Sequence, residues 1–153
     1  MKEKKRPSWD DYFMQIAQVV STRSTCIRRS VGCVLTREDR QIISTGYNGA
    51  PRGIEHCTSI GCYRELHNIP SGEQHELCRA AHAEQNAIAQ AARHGISTIN
   101  SIIYCTLQPC SICMKIMINA GVTKIVYGDG YPDKMSLSMA EEAKIEILKW
   151  NGE

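Results

Sequence analysis

Two short clusters carry side chains that chemistry could use: His82-Ala83-Glu84 and Pro109-Cys110-Ser111-Ile112-Cys113. Cys-x-x-Cys at the opening of a helix lets two thiolates converge on one metal, and the positive end of the helix favours the negative sulfurs. A histidine opening a second helix adds a nitrogen ligand. Three protein ligands leave the fourth position of a tetrahedral zinc open, which marks catalytic rather than structural sites. Zinc held so would acidify a water from a pKa of about 15.7 towards neutrality. Glu84, two residues past the histidine, could reach that water without occupying the metal and shuttle its proton. Each cluster alone has a plainer reading, a redox pair for Cys-x-x-Cys and coincidence for His-x-Glu. Together, at the openings of two helices one strand apart, they point to a catalytic Zn2+ on His82, Cys110 and Cys113, with Glu84 as acid–base group.

The elements that must position these residues are legible from pattern. Ala83 to Ala92 is rich in Ala, Glu and Gln, strong helix formers, and Gly95 supplies a stop. Ser101 to Thr106 reads as a buried strand. Pro109 suits the start of a helix, where its missing N–H is not needed, and that helix runs from Cys110 to Ala120. Lys124 to Tyr127 is a further strand, followed by a short helix near Ser136 to Ala143 and a last strand around Lys144 to Leu148. Upstream, Ser8 with Asp11 three residues on opens a helix reaching about Arg23. Val31 to Leu35 and Gln41 to Gly46 are β-rich runs joined by a polar turn, a hairpin. Strands alternating with helices in the second half predict right-handed crossovers with helices on both sheet faces, a three-layer α/β/α fold.

At 153 residues the chain fits one domain over 1–153. The formal net charge of +2 is too mild to argue for a nucleic-acid partner, though it suits a small anionic substrate. No apolar run approaches the roughly 20 residues of a membrane span. The charged N-terminus, Met1 to Pro7, is followed by no apolar segment of the kind an export signal needs, so the expected location is cytoplasmic. Eight cysteines are the unusual feature, and a reducing compartment predicts free thiols. With five histidines as companions, metal is the favoured reading for some of them, though not for all eight. Cys105, near the end of a strand, reads as core. Between about residues 52 and 79 apolar periodicity dissolves into a Cys/His-rich insertion. A structureless stretch of this length inside a domain needs a function or a tie.

His82-Ala-Glu84 with Pro109-Cys-Ser-Ile-Cys113 resembles the cytidine/deoxycytidylate deaminase superfamily, whose combined zinc signature it repeats. The likeness extends from Cys26 to about Pro132. Ile43-Ser-Thr-Gly-Tyr-Asn-Gly49 with Pro51, Val31-Gly32, and Val126-Tyr127 with Tyr131 are similar to the deoxycytidylate (dCMP) deaminase branch. The resemblance implies a five-stranded mixed sheet, hydrolysis of dCMP to dUMP and ammonia, and a homo-oligomer, often a hexamer. It also implies dCTP and dTTP as effectors, with Mg2+ accompanying the nucleotide. Asn48 would bind the sugar, the Ala83 N–H the pyrimidine carbonyl, and Tyr131 would close over the substrate.

Four residues could tie down the insertion through a second, structural zinc: Cys26, Cys57, His75 and Cys78. A hairpin brings Cys26 and Cys57 to one end, and His75 and Cys78 lead into His82. Four ligands close a site, and its binding energy could replace a core that the segment lacks. The resemblance places Cys26 and Cys57 at ligand positions, whereas Cys62 or His56 could substitute for one of the four. Buried free thiols are the plainer alternative. Phosphate recognition needs cations, and Arg28, Arg29, Arg52 and Arg79 fall near the site loops. Two rivals remain. A tRNA adenosine or other nucleobase deaminase would use the same zinc core but calls for a basic face. A non-catalytic zinc or nucleic-acid-binding accessory would have no use for Glu84 beside an open metal position.

Overall fold

The computed structural model describes residues 4–130 and 133–152. Five strands, β1 (Gly32–Thr36), β2 (Ile42–Tyr47), β3 (Ser101–Leu107), β4 (Val122–Asp129) and β5 (Glu146–Lys149), form one sheet in the order β2-β1-β3-β4-β5. β1 runs antiparallel to both β2 and β3, and β3, β4 and β5 are parallel, so the sheet is mixed as expected. Helix α1 (Trp9–Ser21) covers one face. Helices α4 (Ala83–Arg93), α5 (Ser111–Asn119) and α6 (Lys134–Glu142) cover the other.

Both faces are buried, and alternate side chains divide between them. Cys33 and Leu35 of β1, Ile103 and Cys105 of β3 and Ile125 of β4 join Met114 and Met117 of α5 in one core. Val34, Tyr104 and Val126 turn the other way onto Phe13, Met14 and Ala17 of α1. Each large apolar side chain so buried contributes about 1.5–3 kcal/mol. Central strands hidden on both sides read as unbroken apolar runs, which is why β1 and β3 stand out in the sequence.

The ends of α1 are fixed by side chains. The Asp11 N–H donates to Ser8 Oγ at 3.1 Å, while the Ser8 hydroxyl donates back to the Asp11 carboxylate at 2.6 Å. Trp150 Nε1 donates to the same carboxylate at 2.7 Å, which fastens the chain's end to α1. The helix stops at Ser21 rather than Arg23. The Thr22, Arg23 and Ser24 N–H groups bond carbonyls three residues back, tightening the last turn. β5 starts at Glu146 rather than near Lys144, because Lys144 takes a left-handed φ of 58° and the Ile145 N–H closes α6 on Ala140. α6 starts at Lys134, capped by Asp133, whose carboxylate accepts the Ser136 N–H at 3.0 Å. The insertion folds into two single-turn helices, α2 (Cys57–Ile60) and α3 (Tyr63–Leu66), and a 3-10 turn at His75–Leu77.

The expectation of free thiols fails at one pair. Cys33 and Cys105 lie directly opposite each other in the β1–β3 register with Cα atoms 4.4 Å apart, and their sulfurs are joined across the sheet. Among the described residues the other six cysteines are free.

The helix that matters most for the site, α4, lies against β2 with no space between. A Cβ built on Gly46 would run into the Ala83 carbonyl oxygen and the Ala87 nitrogen, backbone atoms that cannot step aside. Ser44 adds a buried hydrogen bond from Oγ to the Ala87 carbonyl at 2.7 Å. Gly46→Ala should therefore lift α4 off the sheet and cost about 1–3 kcal/mol, the range for overpacking. Thermal unfolding beside a control at exposed Thr45 measures it, and an unchanged melting temperature would contradict the close approach.

Candidate active site

His82 is the N-cap of α4, and three attachments hold it. Ala81, just before it, pairs with Gly49 in a two-way backbone bridge at 2.9 and 3.1 Å. The His82 N–H donates to the Gln85 side chain at 2.8 Å, and its carbonyl accepts the Asn86 N–H at 2.9 Å. Cys110 is likewise the N-cap of α5, not its first helical residue. The Ser111 N–H donates to Asp133 at 2.9 Å, and Ser136 Oγ donates to the Pro109 carbonyl at 2.7 Å, so the start of α6 fixes the start of α5. Two helix N-termini, each a source of positive potential, thus meet at one end of the sheet.

The donor atoms converge. Cys113 Sγ lies 3.3 Å from His82 Nδ1, and Cys110 Sγ lies 3.6 Å from it. Zinc–sulfur bonds of about 2.3 Å and zinc–nitrogen bonds of about 2.0 Å at tetrahedral angles place ligand atoms roughly 3.6 Å apart, so the set fits zinc. The Glu84 carboxyl touches Cys113 Sγ at 3.6 Å without joining the trio. It is 4% exposed and lies over the linked Cys33 and Cys105 sulfurs. Burial pushes its carboxyl above the usual range. A hydrogen bond from Cys113, with the nearby imidazole, pulls the Cys110 thiol down to about 4, whereas the bond to Cys110 and burial push Cys113 up. His82 is held upward by its hydrogen bond with Cys110. One thiolate is therefore ready before metal arrives.

These residues open into a cavity of about 850 Å3 including its mouth. Asn48, Ala83, Arg28 and Arg29 line it, as the sequence reading requires of substrate residues. Asn48 is a structural corner as well: its Oδ1 accepts the Val31 N–H at 2.8 Å and its Nδ2 donates to the Arg29 carbonyl at 2.9 Å. The structure does not bring Arg52 or Arg79 there. The turn closed by the Ile54 N–H on Pro51 carries Arg52 into a separate groove along α4, beside His56, Asn86 and Arg93. Arg79 is exposed and spends Nη1 on the Glu55 carbonyl at 3.4 Å. Tyr131 lies outside the described residues. Two buried residues of the cavity wall, Arg64 and Gln108, escaped the sequence reading. A four-residue helix offers no periodicity to flag Arg64, and Gln108 carries no signal apart from its place before Pro109.

Cys26, Cys57, His75 and Cys78 all face this cavity, and Cys62 with them. Burial, then the charges of Cys26, Cys62 and Cys78, raise the Cys57 thiol, so Cys57 lies within electrostatic reach of the other three. His75 instead sets its ring edge-on to His82, with centroids 5.2 Å apart, and its buried Nδ1 has no partner. Among the described residues, only His82–Cys110–Cys113 and Cys33–Glu84–Cys105 form three-residue groups with ligand atoms within 4.8 Å of one another.

A mixed α/β sheet with a helix-borne His-x-Glu facing a helix-borne Cys-x-x-Cys defines a zinc-binding domain of the deaminase type. The chain belongs to the family described as the cytidine and deoxycytidylate deaminase zinc-binding region, whose model matches residues 7–129. It is 38% identical over 146 residues to the deoxycytidylate deaminase of Schizosaccharomyces pombe, a match covering 95% of this chain and 45% of that protein. It is 37% identical over 127 residues to the deoxycytidylate deaminase of Mycobacterium phage D29, covering 80% of this chain and 95% of the phage protein. The crystal structure of dCMP deaminase from the cyanophage S-TIM5 in complex with dCMP and dUMP superposes with a TM-score of 0.78 at 28% identity, covering 95% of this chain and 99% of that one. The chain spans less than half the length of the yeast relatives it matches. No helix of the described residues is long and apolar enough to cross a membrane.

The electrostatics generate a prediction for the metal-free protein. With a thiol pKa of about 4, Cys110 should be alkylated by iodoacetamide at pH 6 almost as fast as at pH 8, while the raised Cys113 stays protonated and slow. Zinc should protect both. Peptide mapping of the alkylated sites reads this, and a Cys110 rate rising tenfold per pH unit across that interval would contradict it.

Proposed function

We propose that this chain is a zinc-dependent hydrolase that deaminates dCMP to dUMP with release of ammonia. The observation that carries the reading is the convergence of His82, Cys110 and Cys113 beside buried Glu84, at the floor of a cavity rimmed by arginines. The dCMP- and dUMP-bound phage relative supports the choice of substrate. His82, Cys110 and Cys113 would hold zinc, which when bound supplies an acidified water. The chain's own residues do the rest. Glu84 takes one proton from the water and delivers it to N3 of the cytosine as the water oxygen bonds to C4. It then takes the remaining proton of that oxygen and passes it to the amine, which leaves as ammonia as the C4 carbonyl forms. The Ala83 N–H, in the first turn of α4 where helical partners are lacking, donates to the pyrimidine carbonyl. Asn48 keeps a second amide hydrogen for the sugar after serving Arg29.

A second, structural zinc belongs to the same reading, and the placing of Cys26, Cys57, Cys62 and Cys78 around one cavity supports it. His75, one of the four expected ligands, sets its ring against His82 instead, which favours Cys62, an expected substitute, in its place. A dCTP or dTTP effector carrying Mg2+ would find two cations, Arg52 and Arg93, in the groove along α4. Exposed Ile42 and Tyr47 on edge strand β2 support self-association. A cytoplasmic setting suits a nucleotide substrate.

Glu84→Gln should keep the catalytic zinc and lose at least about 10²–10⁴-fold in dUMP formation, since the ligands survive and the proton carrier does not. Near-normal turnover in that variant would refute the role. Metal analysis should find two zinc ions per chain in the wild type and close to one in Cys57→Ser, with lower thermal stability. One zinc in the wild type, with Cys26, Cys57, Cys62 and Cys78 all alkylated in the folded protein, would remove the second site.

A further inference from the structure

Arg64 is a charge that the fold leaves uncompensated. It belongs to the single-turn helix α3, is 7% exposed, and lines the same cavity as His82 and Glu84. Of its five N–H donors, one on Nη2 reaches the Pro70 carbonyl at 3.3 Å, and the buried Nε has no partner. No carboxylate pairs with it among the described residues. A guanidinium cannot shed its proton to escape burial, so an unpaired one is strongly unfavourable unless an anion arrives. Arg64 shares its cavity with His75, His82 and Glu84.

The surroundings are built for an anion as well. Arg28, partly buried, donates from Nη1 to the Ile69 carbonyl at 3.4 Å, and Arg64 holds the next carbonyl, that of Pro70. Two guanidinium groups thus grip adjacent peptides of one loop. The following residues, Ser71 and Gly72, line the cavity between them. Each guanidinium keeps further donors free, and its planar fork matches two oxygens of a phosphate at once.

We infer that Arg64, assisted by Arg28, anchors the 5′-phosphate of the substrate and sets the preference for a nucleotide over a nucleoside. This rests on the proposed deamination of dCMP. It replaces Arg52 and Arg79 in the expected phosphate set with a residue that the sequence did not mark.

The test compares kcat/KM on dCMP and on deoxycytidine for the zinc-loaded wild type, Arg64→Met and Arg64→Lys. Loss of one or two charge-assisted hydrogen bonds should shrink the dCMP-over-deoxycytidine ratio by about 10- to 100-fold in Arg64→Met. Arg64→Lys, which keeps the charge but not the fork, should fall between. An unchanged ratio with both activities lowered would mean that Arg64 only pegs the loop to Pro70, and would overturn the inference. A wild type that processes both substrates equally would overturn the dCMP reading and the phosphate anchor together. Should Arg64→Met fail to fold, inorganic phosphate decides. It should compete with deoxycytidine in the wild type and several-fold more weakly in Arg64→Lys, and equal competition in both would overturn the assignment.

Discussion

Three donor atoms from two segments 28 residues apart have to meet within the span of one metal ion, and the packing of α4 against β2 makes that possible. Gly46 lets the helix backbone touch the strand backbone, Ser44 bonds its second turn, and the Gly49–Ala81 bridge sets where the helix begins. With α4 fixed, His82 can point only towards the opening of α5. That opening is fixed in turn by Asp133 and Ser136 of α6. The donor geometry is thus a property of helix starts, held by one backbone bridge, three side-chain hydrogen bonds and the close approach at Gly46. The same starts bring Cys113 and the His82 ring to Cys110, whose thiol their hydrogen bonds pull down to about 4.

The second constraint is burial. Glu84 sits on the linked Cys33 and Cys105 sulfurs with water largely excluded, so its carboxyl favours the protonated form and can both accept and return a proton. Arg64 is buried within the same cavity but, being permanently charged, cannot adjust in that way. On the proposed reading, a neutralisable acid at the floor and a fixed cation on the wall would divide the labour that a phosphorylated base requires, proton transfer at one end and charge recognition at the other. The insertion contributes little apolar core, and its worth lies in carrying Arg64, His75 and the thiols to the cavity.

Much of this was legible in the sequence because it rests on local rules. His-x-Glu and Cys-x-x-Cys at helix openings, the apolar runs of β1 and β3, and the Ser8 cap all declare themselves within a few residues. The mixed order of the sheet followed from the resemblance. Elements held by partners were harder to read. β4 runs from Val122 to Asp129 although only its middle looks strand-like, because β3 pairs with it from Ser101 to Leu107. Cys33 and Cys105, 72 residues apart, are brought face to face by register alone. Arg52 and Arg79 looked as suitable as Arg28 until the turn at Pro51 and the bond to Glu55 carried them elsewhere. Arg64 shows the opposite case: its importance comes from what it lacks, and a missing counter-ion is visible only in three dimensions.

We propose that the zinc trio with Glu84 performs hydrolytic deamination of dCMP. The most direct measurement is dUMP formation from dCMP by the whole chain, before chelation, after removal of the metal, and after zinc is returned. The account predicts turnover that disappears with the metal and recovers with zinc, with one ammonia released per dUMP. Zinc-loaded protein that leaves dCMP unconverted, or metal-free protein that converts it at the full rate, would contradict it.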